Sequence, residues 1–90
     1  GVAMAFVTFP PVPTELRWSA DQPQPRALQF DGQDHEVEAV LSVRDERAAW
    51  PIDRGPRLTL VLATTNGQRA EVFWDPRSQS WFVDAWDLAA

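Results

Sequence analysis

Residues 57–88 read RLTLVLATTNGQRAEVFWDPRSQSWFVDAWDL, and the way this stretch folds back on itself decides the fold class. Leu58, Leu60 and Leu62 alternate with Thr59, Val61 and Ala63, the period-two pattern of a half-buried strand. Thr65-Asn66-Gly67 and Asp75-Pro76-Arg77-Ser78 supply two turns, so the segment predicts a three-strand meander. Its register follows from asking which turn separates apolar from charged side chains. A two-residue loop at Asn66-Gly67 would set Leu60 opposite Phe73 and mix the faces. A three-residue loop with Gly67 left-handed in a bulge sets Leu62 opposite Ala70, Leu60 opposite Val72 and Leu58 opposite Trp74. Across the next turn Trp74 then faces Trp81, Val72 faces Val83 and Ala70 faces Ala85. One face then carries no charge. Because a one-residue slip moves every side chain to the other face, this segregation selects the bulged loop.

Working outward, Leu28 and Phe30 precede Asp31-Gly32, and Val37, Ala39, Leu41 and Val43 follow it. Asp-Gly between alternating apolar residues predicts a two-residue hairpin with Leu28 facing His35. Residues 44–56 read as an irregular, exposed connection holding Trp50, Pro51, Gly55 and Pro56. Upstream, Glu15–Trp18 reads as a short strand and residues 19–25 as a polar linker. Pro10, Pro11 and Pro13 lack amide donors and are expected to end any ladder begun at Ala5–Phe9. Gly1-Val2-Ala3 reads as a cloning remnant ahead of Met4. No stretch holds a 3.6-residue period for three turns, so no helix is expected. The expectation is an all-β, small single-domain SH3-like or similar barrel of five to six antiparallel strands, with Trp74 and Trp81 in its core. Residues 4–25 would form an N-terminal strand or tail and linker, and 26–90 the barrel.

Composition limits the chemistry. A 90-residue chain buries only about 60–65% of its unfolded surface, leaving little room for an enclosed pocket. Cysteine is absent and histidine occurs once, which disfavours metal centres built on thiolate or imidazole. No apolar run approaches the roughly 18 residues of a membrane span. Eight Arg and no Lys stand against 13 acidic residues, for a net charge of −5. That balance argues against binding dominated by nucleic-acid phosphates. No targeting segment is evident, so cytoplasmic is the default location, with no membrane partner.

Catalytic arrangements are scarce. His35 follows Asp34 near a turn, and Ser19, Ser42, Ser78 and Ser80 offer no nucleophile elbow. Glu36 and Glu38 stand about 7 Å apart at strand rise, a spacing met in acid–base pairs but ordinary on a solvated strand. Asp31, Asp34 and Glu36 do not match an EF-hand loop, and four glycines build no phosphate cradle. No catalytic residue, metal or cofactor is expected, and the chain reads as a non-enzyme.

Binding is better represented. The meander's second face carries Thr59, Val61, Ala63, Arg69, Glu71, Phe73, Phe82, Asp84 and Trp86. It reads as a partner site at Phe73, Phe82 and Trp86, as a minor core covered by Phe6–Phe9, or as scattered surface aromatics. Arg44, Arg47, Arg54 and Arg57 bracket Trp50 against three carboxylates. Trp with Arg suits a protein hot spot or single-stranded nucleic acid, and a local salt-bridge mesh is the plain alternative.

Phe30, Gly32, Val37-Glu38-Ala39-Val40-Leu41, Trp50, Val72-Phe73-Trp74-Asp75, Trp81-Phe82 and Asp87 together carry a resemblance. Their order over about two-thirds of the chain resembles a family of small β-rich domains of actinobacteria and deinococci, encoded near or fused to relatives of Y-family translesion polymerases. Gln33 departs from that pattern, where a basic residue is usual, as does Ile52, where a second Trp is expected. The resemblance implies an accessory role near DNA repair or mutagenesis and supplies no catalytic residue. The leading expectation is a non-catalytic protein-interaction module, using Arg44, Arg47, Trp50, Arg54, Arg57, Phe73, Phe82 and Trp86. The alternative is single-stranded nucleic-acid binding through Trp50 and its Arg neighbours.

Overall fold

Alternating apolar residues and glycine-bearing turns produce antiparallel strands throughout the computed structural model, which describes residues 4–46 and 58–89. The strands are β1 (Met4–Thr14), β2 (Leu16–Trp18), β3 (Pro25–Phe30), β4 (Gln33–Asp45), β5 (Leu58–Thr64), β6 (Arg69–Asp75) and β7 (Ser80–Ala89). They form one sheet in the order β1-β7-β6-β5-β4-β3-β2, curled into a half-barrel. The all-β class and the meander match expectation, and the described residues form seven strands rather than five or six.

The hairpin turn has both Asp31 (φ 54°) and Gly32 (φ 74°) left-handed, as a two-residue turn that matches strand twist requires. Leu28 faces His35 across it. The three-residue loop at Thr65–Gly67 likewise gives Leu58–Trp74, Leu60–Val72 and Leu62–Ala70 pairs, with Gly67 at φ 84°. Beyond the following turn, Trp74 faces Trp81 and Val72 faces Val83, but Ala70 faces Trp86 and not Ala85. One extra β7 residue at Asp84 shifts this register and rotates the strand's end. Trp86 therefore leaves the second face for the core.

The prolines do not end β1, which continues through Pro10, Pro11 and Pro13. β1 is an edge strand, so a missing amide can face away from the ladder. Its register against β7 shifts between Thr8 and Val12, at Pro10 and Pro11. β1 thus lies within the sheet and does not drape over the second face. Both edges of the sheet come from the segment expected to be tail and linker, and only Glu15 separates them. There the Glu15 carbonyl accepts from the Gln29 amide at 3.1 Å, and the Thr14 hydroxyl donates to the Gln29 carbonyl. One run of chain therefore laces β7 to β3.

Long strand β4 serves both wings of the half-barrel. Gln33–Glu36 pair with β3, and Val37–Asp45 pair with β5, with register shifts that leave Glu38 and Leu41 as extra residues. Such bulges bend a strand. On the concave side lie Leu28, Leu60, Leu62, Ala70, Val72, Val83 and Trp86, all buried, with Phe9, Leu16, Phe30 and Trp81 packed against them. Trp86 stacks on Phe30 at 4.4 Å, Phe30 stacks on Phe9 at 5.7 Å, and His35 meets Trp86 edge-on at 4.7 Å. This aromatic column ties β1, β3, β4 and β7 together.

Candidate functional site

β2 is short, but each of its residues faces something different. Leu16 packs into the core. Arg17 faces outward opposite Ala27, and the small Ala27 lets its guanidinium reach across β3 to the Asp34 carboxylate on β4. The β2–β3 register shifts between Arg17 and Trp18, which pairs with Pro25. Trp18 emerges at the rim with 47% of its surface exposed. Its ring leans on Trp81 at 6.0 Å, and Trp81 leans on Trp74 at 5.6 Å. Trp74 and Trp81, expected in the core, are half-buried at this mouth. The turn that follows Trp18 is held by Ser19 N–H donating to the Gln24 carbonyl at 3.0 Å.

Three depressions meet at this strand. An apolar groove of about 350 Å³ runs between Trp18 and Pro25 on one side and Val40, Val43 and Leu58 on the other, with core residue Leu60 beneath. Its wall residue Val43 is 62% exposed. Across the Trp18 ring, a depression of about 370 Å³ is floored by Ala27 and ringed by Arg17, Arg26, Asp34 and Glu36. The third lies between Glu15, Arg17 and the Trp74–Trp81 pair. An aromatic side chain shared by an apolar and a charged cleft has the composition of a recognition surface.

The residues singled out from the sequence are distributed differently. Phe73 and Phe82 face each other as expected, stacked at 5.5 Å, and are half-buried on the convex face. Trp86 is 2% exposed, so the expected grouping with them is corrected: it belongs to the core. Arg44 is exposed and pairs with Glu46 at 2.9 Å, with Glu71 at 3.9 Å. Arg47, Trp50, Arg54 and Arg57 lie outside the described residues. His35 faces the core while its neighbour Glu36 is exposed, so the two do not share a cleft. No three His, Asp or Glu side chains among the described residues are grouped to hold a metal. Nor is any helix among them long and apolar enough to cross a membrane.

Arg69, expected on the same face as Trp86, clasps Asp87 through Nε at 2.8 Å and its terminal nitrogen at 2.9 Å. The Arg69 backbone N–H also donates to that carboxylate at 2.8 Å. The guanidinium hydrogen bonds hold the Asp87 carboxyl below its usual range, with burial opposing. The same pairing raises Arg69, whose guanidinium also lies 4.8 Å from the Phe6 ring centre. This clasp joins β1, β6 and β7 and belongs to the fold.

Trp18 was not singled out from the sequence, because its strand is three residues long and sits among prolines. The signal available was β4, whose apolar alternation runs to Val43, well past what the Asp31-Gly32 hairpin partner can cover. No protein family, curated protein or solved structure matches this chain.

Proposed function

We propose that this chain is a non-catalytic protein-interaction module that receives its partner in the apolar groove beside Trp18. One observation carries the reading: Trp18 and Val43, 47% and 62% exposed, face each other across a groove whose floor is continuous with the core. Burying a Val, Leu or aromatic side chain contributes roughly 1.5–3 kcal/mol. Several such side chains offset much of the cost of association, about 4–15 kcal/mol, and polar contacts at the rim add to them. The bend of β4 between two wings supports reading the fold as SH3-like. An accessory role in DNA repair or mutagenesis is the setting that the family resemblance favours, with the cytoplasm as the default location.

The test is a photoreactive phenylalanine analogue placed at position 43 in living cells of the native host. A discrete protein adduct that disappears in the Trp18→Ala background is the expected result. Labelled single-stranded DNA and RNA at low and moderate salt form the counter-test. Salt-steep binding lost in Trp50→Ala would replace this reading with the nucleic-acid one.

A further inference from the structure

Resting on the interaction reading, we infer that the occupant of the groove is an extended, cationic peptide segment of a partner protein. It carries Lys or Arg two or three residues from its apolar anchor. Charge is the first argument. From Glu15 to Glu38 the chain holds six carboxylates and two guanidiniums, and all eight side chains are exposed. The net −4 of this wing is most of the −5 of the whole chain. This wing as a whole therefore attracts a positive partner and repels an acidic one.

Within the depression behind Trp18, Arg17 and Asp34 neutralise each other. Glu36 has no ion-pair partner among the described residues, and it shares the cleft with the Trp18 ring. A ligand cation there gains both a carboxylate and an aromatic face. Arg26 also lines this cleft, and its charge opposes that cation.

Shape supplies the second argument. The apolar groove runs along Val40 and Val43 of β4, where β3 has already ended, since its pairing covers only Gln33–Glu36. Beyond that point no described strand borders β4 on this side, so a chain can lie lengthwise there. The extra residues at Glu38 and Leu41 interrupt a regular ladder, so side chains dominate recognition. Trp18 is the ridge between the two clefts. Alternate residues of an extended chain lie about 7 Å apart, enough to set one side chain on each side of that ring.

A displayed library of random octapeptides, selected against the full chain, tests the inference without presupposing the ligand. The expected outcome is enrichment of sequences with Lys or Arg two or three positions from Leu, Ile, Val or Phe. Synthetic copies of these should bind Glu36→Gln about two- to fivefold more weakly, and Arg26→Gln at least as tightly as the wild type. Val43→Ser should weaken binding without changing its salt dependence. Both charged positions are exposed, and an unchanged set of tryptophan indole N–H resonances confirms that each variant is folded. Enrichment of acidic or uncharged sequences whose binding is lost in Trp18→Ala would overturn the charge inference and leave the interaction reading standing. Failure to enrich any sequence would overturn the peptide inference, and the in-cell adduct at position 43 would then decide the interaction reading separately. Binding of enriched peptides that is insensitive to Trp18→Ala and Val43→Ser would place them elsewhere and also overturn it.

Discussion

Trp86 is 2% exposed and stacked against Phe30, whereas Trp18 keeps 47% of its surface in water, so truncating each has a different consequence. Trp86→Ala removes the centre of the aromatic column and is expected to cost about 3–5 kcal/mol. Trp18→Ala is expected to cost far less and to act on binding. Urea denaturation of the two variants checks both, and equal losses would mean that Trp18 is structural. Asp87 gives a pH-dependent prediction. Its carboxyl is held below the ordinary range by Arg69, so its contribution is fully present above the unfolded value of about 3.9. It is lost as pH falls through the lower folded value. Asp87→Asn should therefore be less stable than wild type at pH 7, with the gap closing well below pH 4. Denaturant midpoints at several pH values provide the check, and a gap that stayed constant would assign the effect to packing.

At the level of elements, the turns were legible because each has one physical solution. Gly67 sits at φ +84°, and a Cβ there would meet nothing within 4 Å. The constraint is purely conformational. Gly67→Ala is therefore expected to destabilise by about 1–2 kcal/mol, read by urea denaturation, with Gly67→Asn milder because Asn tolerates that region. A neutral Gly67→Ala would mean that the loop relaxes to another turn. The Leu58–Trp74 and Leu28–His35 registers followed from apolar segregation and these two turns. The end of β7 did not, because the extra residue at Asp84 leaves no mark in an alternation that already mixes Asp84, Ala85 and Trp86. The prolines of β1 misled for a related reason. They forbid an interior strand, yet edge or interior is decided by the global order, which local sequence does not contain. Trp18 was illegible on the same ground, since its exposure depends on a shift against β3 and on Trp81, distant in the chain.

Considered as a whole, the half-barrel concentrates its packing at one side. Leu60, Leu62, Ala70, Val72 and Val83 are 0–6% exposed and sit on β5, β6 and β7, each flanked by strands on both sides. At the other extreme, β2 has three residues, lies at an edge and faces β3 alone. Native-state amide hydrogen exchange reports this gradient, because opening free energy rises with the number of interactions that must break. Amides of Leu60, Leu62, Val72 and Val83 are expected to exchange only on global unfolding. Those of β2 and residues 19–24 should open locally and much faster. The described ladders join consecutive strands except for β1–β7, which joins strands near the two ends of the chain, and an all-β sheet closed by such a ladder is expected to refold on the millisecond-to-second scale. The gradient matters for recognition, since the groove is bounded by the least protected strand on one side and by β5 on the other. A ligand seated beside Trp18 orders β2 against β4, so it should slow exchange there while leaving the β5–β7 amides unchanged. Uniform slowing across the sheet would instead indicate that binding raises global stability without engaging this rim. Protection of β2 equal to that of β6 in the free protein would show that the run from Met4 to Trp18 closes the barrel as firmly as its centre.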